Sequence, residues 1–168
     1  AELFREVSSL LDAAERSGFP LTLSCAKSGY FCQSQHRALA SLRRREPEPH
    51  VRLHPELADT RGIHDGDWCL VHTRNGQARY RARLDDALAP QVVMASFGWW
   101  QACEDLGLVG GDPLAPRNSH FNGLISTEYL DDVAGAIALR AFPCDITQDA
   151  SSVRTWAGWK AFEVRAME

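Results

Sequence analysis

The side chains that could hold a metal or attack a substrate are scattered along this chain rather than gathered. Cys25, Cys32, Cys69, Cys103 and Cys144 form no Cys-x-x-Cys pair. A zinc ribbon or an iron–sulfur site needs closely spaced thiolates that converge on one ion. Five irregularly spaced thiols read instead as buried free cysteines of a reducing compartment, which makes a cytoplasmic setting the expectation. The six histidines show no ligand spacing, and His54 and His120 read as structural. There is no Gly-x-Ser-x-Gly, no His-Glu-x-x-His and no phosphate-binding glycine loop. Gly107-Leu108-Val109-Gly110-Gly111 lacks both the glycine order and the preceding strand that a dinucleotide fingerprint requires. The expectation is a chain with no catalytic residue and no metal ligand of its own.

The most specific local pattern concerns the backbone. Gly62-Ile63-His64-Asp65-Gly66-Asp67 reads as a helix stop followed by a tight Asp-Gly turn into a strand. Pro55 suits the first position of a helical turn that ends at Gly62. Strands are expected over 67–73 and 77–84 around Arg74-Asn75-Gly76, because Asn-Gly tolerates the positive φ of a two-residue hairpin. The second of these alternates, with Ala78, Tyr80, Ala82 and Leu84 on one face and Gln77, Arg79, Arg81 and Arg83 on the other. The first is apolar on both faces, as in a closed barrel. Further strands are expected over 20–25, 51–53, 92–95 and 136–142, and an amphipathic helix over 3–14. Residues 26–37 form a polar loop, and 98–135 a long loop-rich stretch whose aromatics favour function. Residues 41–49 (SLRRREPEP) are expected to be extended and exposed, or packed on a partner, with Arg43, Arg44 and Arg45 facing solvent or acids of a missing domain.

With 168 residues, 45% of them apolar and 24% charged, the chain fits one ordinary globular domain. A net charge of -4 gives no nucleic-acid signal. No apolar run reaches the ~18 residues of a membrane span.

Along the chain stand Ser34-Gln35-x-Arg37, then Ser41-Leu42-Arg43-Arg44 before Glu46-Pro47-Glu48-Pro49, then His54-Pro55-Glu56-x-Ala58 and Gly62-Ile63-x-Asp65-Gly66-Asp67. They are followed by Thr73-Arg74-x-Gly76, Gly98-Trp99-Trp100, Asn122-Gly123-Leu124, Asp132 with Gly135, and Cys144-x-Ile146. In this order and spacing, from about residue 20 to 147, the sequence resembles the C-terminal molybdopterin dinucleotide-binding domain of the dimethyl sulfoxide reductase superfamily. The Gly-Trp-Trp piece is similar to the branch with acetylene hydratase-like and thiosulfate or polysulfide reductase-like enzymes.

The resemblance implies a mainly β fold with α additions, a double-psi β-barrel of the aspartate decarboxylase-like kind. The barrel would occupy 20–147, with a helix or linker over 1–19 and a docking tail over 148–168 that carries Trp156, Trp159 and Phe162. It also implies a molybdopterin guanine dinucleotide cofactor with molybdenum or tungsten, held between this barrel and larger domains or a large subunit. Those partners would supply the metal ligand and any iron–sulfur cluster. Carried over residue by residue, the cofactor contacts are Lys27, Ser34, Gln35 and Arg37 in the first loop, Gly98-Trp99-Trp100 as an aromatic wall, and Asn122 as an amide facing the pterin. Such a ligand asks for amide-like hydrogen bonds at the pterin edge and for cations at the pyrophosphate. The plainer readings are that Ser34 and Gln35 cap a helical turn, that the tryptophans are core, and that Asn122 is a turn residue. The chain departs from the family pattern at Gln33, at Asn118 and His120, and at Gln101-Ala102-Cys103. A different class of function open to the same barrel is a protein-interaction adaptor without cofactor.

Overall fold

A computed structural model describes residues 18–115, 118–126, 135 and 140–149. The helix expected over 3–14 and the tail aromatics Trp156, Trp159 and Phe162 lie outside the described residues.

Six strands close into one barrel: β1 (Leu21–Ala26), β2 (His50–Leu53), β3 (Trp68–Thr73), β4 (Gly76–Leu84), β5 (Val92–Ser96) and β6 (Arg140–Gln148), in the order β1-β5-β2-β4-β3-β6. Two pairs are parallel, β1 with β5 and β2 with β4, and the other four are antiparallel. The alternation of β4 turns Ala78, Tyr80 and Ala82 inward, where they meet Leu23, Val51, Leu53, Val71, Val93 and Ile146 in a single core. Leu84, expected on the same face, stays partly exposed at the strand end.

Three expectations are corrected. The last strand, expected over 136–142, runs from Arg140 to Gln148, while residues 136–139 lie outside the described residues. Phe142, Cys144 and Ile146 are its inward set. Pro143 is tolerated within it because it is exposed and next to a bulge. There the register against β1 slips past Ala141, which takes a φ of 62°.

The hairpin joining β3 and β4 is present, but Thr73 pairs with Gly76, so its two loop residues are Arg74 and Asn75. Neither adopts positive φ. Gly76 serves another purpose, since a Cβ there would stand 2.8 Å from the Gly123 carbonyl oxygen. Finally, 41–49 is neither extended nor wholly exposed: Ala40–Arg43 is a helical turn, and Arg43 and Glu46 are buried. The helix Pro55–Arg61 matches its expectation, with proline in its first turn and Gly62 closing it at a φ of 63°.

Strand direction fixes which loops share an end. β1 and β5 run together; β6 opposes β1 and β3 opposes β6, so β1, β5 and β3 all point the same way. Their C-terminal ends release the loop after Ala26, the loop after Ser96 and the β3–β4 hairpin at one mouth of the barrel. No helix among the described residues is long and apolar enough to cross a membrane.

Candidate functional site

At that mouth the loop after β1 folds back on the loop after β5. Gly98, at a φ of 80°, leaves no room for a side chain: a Cβ would lie 2.9 Å from Ser34 Cα and 3.1 Å from Ser34 Cβ. Glycine at this position is therefore what lets the two loops touch. Gln33 and His36 take φ values of 55° and 70° without being glycine. Such backbone strain persists only where surroundings impose it, and it concentrates at functional sites.

Arg37 ties the loops from beneath. Its Nη2 donates to the carbonyl of Phe97, and its guanidinium lies 4.2 Å from the Phe31 ring centre and 4.1 Å from that of Trp99. Phe31 and Trp99 meet edge to face at 6.0 Å. Arg43 approaches the same tryptophan at 4.8 Å and donates to the carbonyls of Pro47 (3.0 Å) and Arg37 (3.3 Å). Burial pulls each guanidinium down to about 10; Glu46 opposes this at both, while Arg43 adds to it at Arg37. Both remain cations at neutral pH.

A third segment completes the rim. The turn Phe121–Leu124 packs on β3 and β4, where the Leu124 carbonyl accepts from Thr73 Oγ1 at 2.7 Å. The preceding His120 places its ring 5.5 Å from that of Trp100, edge on. Its burial lowers the imidazole below its ordinary value, so the ring is neutral at pH 7. Phe121 and Leu124 are buried while Asn122 between them is exposed.

The residues singled out from the sequence divide by depth. Lys27, Gln35 and Asn122 are exposed, Ser34 and Trp100 are half-buried, and Arg37, Gly98 and Trp99 are buried. Ser34, Arg37, Gly98 and Trp99 are drawn into one contact set, and Trp100 joins the Asn122 segment through His120. Lys27 and Gln35 lie exposed in the same first loop. Neither Ser34 nor Gln35 caps the helical turn that follows, which begins at Leu39 without a side-chain cap. Arg43, Glu46 and His120 also belong to this mouth, although the sequence reads Arg43 as facing solvent or acids of a missing domain and His120 as structural, and gives Glu46 no role. Nothing in the local pattern of a charged, proline-rich run marks Arg43 and Glu46 as buried.

Among the described residues, four buried side-chain nitrogens on these segments find no hydrogen-bond partner: Arg37 Nε and Nη1, Trp99 Nε1 and His120 Nδ1. Buried groups of this kind normally find acceptors. Among the described residues, no three His, Cys, Asp or Glu come together as a metal would need. Of the thiols, Cys25, Cys69, Cys103 and Cys144 are buried and Cys32 is exposed, all five free. Burial pushes Cys69 up to about 12 and raises Cys144 further, so neither is a nucleophile.

Residues 21–143 match a known family, described as molydopterin dinucleotide binding domain. A protein of Halobacterium salinarum named for the catalytic portion of dimethyl sulfoxide reductase is 34% identical over 89 residues, covering 53% of this chain and 11% of that protein. Dopamine dehydroxylase of Eggerthella lenta is 31% identical over 130 residues, covering 76% of this chain and 12% of its own length. The chain thus spans about an eighth or less of these curated relatives. Among solved structures, acetylene hydratase from Pelobacter acetylenicus superposes with a TM-score of 0.67 over 82% of this chain and 19% of that one. At 23% identity this likeness establishes the barrel fold.

Proposed function

From its place in the molybdopterin dinucleotide-binding domain family of the dimethyl sulfoxide reductase superfamily, to which this chain belongs, we propose that its barrel mouth holds the guanine dinucleotide form of that cofactor. The host would be a molybdenum or tungsten oxidoreductase, with the chain acting as a C-terminal domain or small subunit beside the catalytic portion. The observation that carries the reading is the convergence of three loops at one mouth, with the exposed amides of Gln35 and Asn122 on the first and third of them.

The residues fit the chemistry of such a group. The exposed amides of Gln35 and Asn122 would exchange hydrogen bonds with the heterocycle edge. Trp100 offers an aromatic wall, and Lys27 an exposed cation for the pyrophosphate. Ser34 and Gly98 set the loop spacing, and Arg37 with Trp99 forms the floor beneath them. When bound, the cofactor supplies the redox or hydration chemistry; the chain binds it, orients it and tunes its electrostatics. The adaptor reading gains nothing from the family match, which is to a nucleotide-cofactor domain.

The test is the nucleotide released when the protein, purified from its own host with whatever it is joined to, is denatured. The expected result is a guanine nucleotide in near-stoichiometric amount. Release of a different nucleotide removes the guanine form, and release of none sinks the cofactor reading.

A further inference from the structure

Beneath the first loop lies a carboxylate that no part of the proposed binding surface uses. Glu46 comes from the charged run before β2, yet it is only 4% exposed. Ser28 Oγ donates to its Oε2, and His50 Nδ1, on β2, lies 3.0 Å from its Oε1. The same carboxylate acts electrostatically on Arg37 and Arg43. Ser28 opens the loop and Arg37 ends it, so one buried acid is coupled to both ends. The hydroxyl of Ser28 also accepts the backbone N–H of Tyr30 at 3.1 Å, passing the restraint into the first turn.

We propose that Glu46 is the positioning residue of this mouth: it anchors residues 28–37 to the barrel wall and so holds the strained loop in its binding shape. Three features support the assignment. The loop has left-handed residues at Gln33 and His36, and strain of this kind persists only where surroundings over-determine it. The anchor also reaches the wall: β2, which carries His50, is fastened to β5 where the His50 N–H donates to Ser96 Oγ at 2.9 Å. Ser96 immediately precedes the second loop, so the carboxylate links the first loop to the root of the second. Finally, Glu46 is the acid that acts on both buried guanidiniums in contact with Trp99, which makes its charge part of what keeps Arg37 under the loop. Glu46 touches no ligand in this scheme. Its effect on binding passes through Ser28 and Arg37, and the importance of that effect rests on the cofactor reading above.

Hydrogen exchange, read segment by segment, tests the anchor in the whole protein with Ser28→Ala, Glu46→Ala and Glu48→Gln substitutions. Both Ser28→Ala and Glu46→Ala are expected to speed exchange across 28–37 by about tenfold or more, the factor for losing one hydrogen bond to a charged group. Exchange in β3 and β4 stays at the unmodified rate in Ser28→Ala. Glu48, paired with Arg81 at 3.2 Å and acting on Arg43 but bonded to no residue of the first loop, is the control, and its loss leaves the loop unchanged. Ser28→Ala keeps the carboxylate in place and therefore remains informative if Glu46→Ala fails to fold. Unchanged loop protection in Ser28→Ala overturns the anchor, as does acceleration spread evenly through the barrel. Titration with guanosine diphosphate separates this inference from the cofactor reading. Binding about tenfold weaker in Ser28→Ala supports both. A loosened loop in a protein that never took up guanosine diphosphate supports the anchor and sinks the nucleotide reading.

Discussion

The two ends of this barrel are built on opposite plans. At the end where β3 starts and β4 stops, polar groups are paired by short, local contacts. Asp65 Oδ1 accepts the Leu84 N–H at 2.9 Å, Asp67 Oδ2 accepts the His64 N–H at 2.9 Å, and Arg81 Nη1 donates to the Gly66 carbonyl at 2.7 Å. Trp68 is flanked by Arg79 and Arg81, and Arg79 is held by Asp149 at 2.7 Å. At the other mouth the loops are long, two non-glycine loop residues are left-handed, and buried nitrogens of Arg37, Trp99 and His120 have no hydrogen-bond partner among the described residues. Buried nitrogens without a hydrogen bond occur at both ends, but Arg52 and Arg81 at the first end each have a carboxylate at 3.2 Å. The left-handed Gln33 and His36 fall at the second end, and strain of this kind concentrates where a fold has been adapted to a ligand.

The sharpest way to probe this division is to break the closed end. Asp149→Ala leaves the Arg79 guanidinium, whose side chain is only 8% exposed, without its carboxylate. Stability is expected to fall by ~3–5 kcal/mol, as for other buried pairs broken on one side. Urea unfolding would read the loss. Guanine nucleotide retained by whatever protein stays folded is expected to be unchanged, because the Asp149 carboxylate sits beside Trp68 at the start of β3 rather than at the open mouth. A selective loss of nucleotide at intact stability would erase the distinction between the ends.

A matched pair of glycines sharpens it next. Gly62 and Gly98 both have positive φ, but an added Cβ meets nothing within 4 Å at Gly62 and meets Ser34 at 2.9 Å at Gly98. Gly62→Ala is therefore expected to cost ~1–2 kcal/mol, the left-handed penalty alone. Gly98→Ala adds a steric clash and is expected to cost ~2–4 kcal/mol and to prise the two loops apart. Equal losses in thermal unfolding would show that the close approach carries no weight.

The closed end is the more legible one. Its Gly62–Asp67 turn and the strict alternation of β4 are local patterns, and local patterns are what a single sequence displays. The strand over 140–148 is harder to place because the apolar run ahead of it attracts the assignment, while Ala141 bulges and Pro143 reads as a break. The open mouth is legible only in its parts. Ser34 and Gly98 are 64 positions apart (98 minus 34), and their contact depends on β1 and β5 being parallel neighbours. Glu46 is invisible for a related reason: a charged run reads as solvated unless one knows that Trp99 comes over Arg43.

Acid should loosen the open mouth before the barrel core. Burial alone would raise Glu46, but hydrogen bonds from His50 and Ser28 and the charges of His50 and Arg37 outweigh it, so its carboxyl sits below the usual range. A folded-state value below the unfolded one means stability that is fully present above the unfolded value and lost as pH falls through the folded one. Unfolding free energy measured from neutral pH downward should therefore drop in the acid limb, and Glu46→Gln should flatten that limb by at most ~1.4 kcal/mol per pH unit, one proton's share. An unaltered acid slope in Glu46→Gln would mean that the carboxylate is not an anchor at all.

The smallest expected change in stability belongs to the two exposed amides, and it discriminates best between a rim that binds and a rim that merely caps the barrel. Gln35 and Asn122 are exposed, so truncating either is expected to remove little that folding uses. Gln35→Ala and Asn122→Ala should each stay within ~0.5 kcal/mol of the unmodified protein, as exposed positions do. If the amides meet the cofactor, each loss should still weaken its retention by about tenfold, the factor for one unmade hydrogen bond in a site that excludes water. A substitution that is silent in urea and loud in nucleotide content is the signature of a ligand contact. Amides silent in both would be ordinary surface, and the binding would then have to rest on Lys27, Trp100 and the backbone.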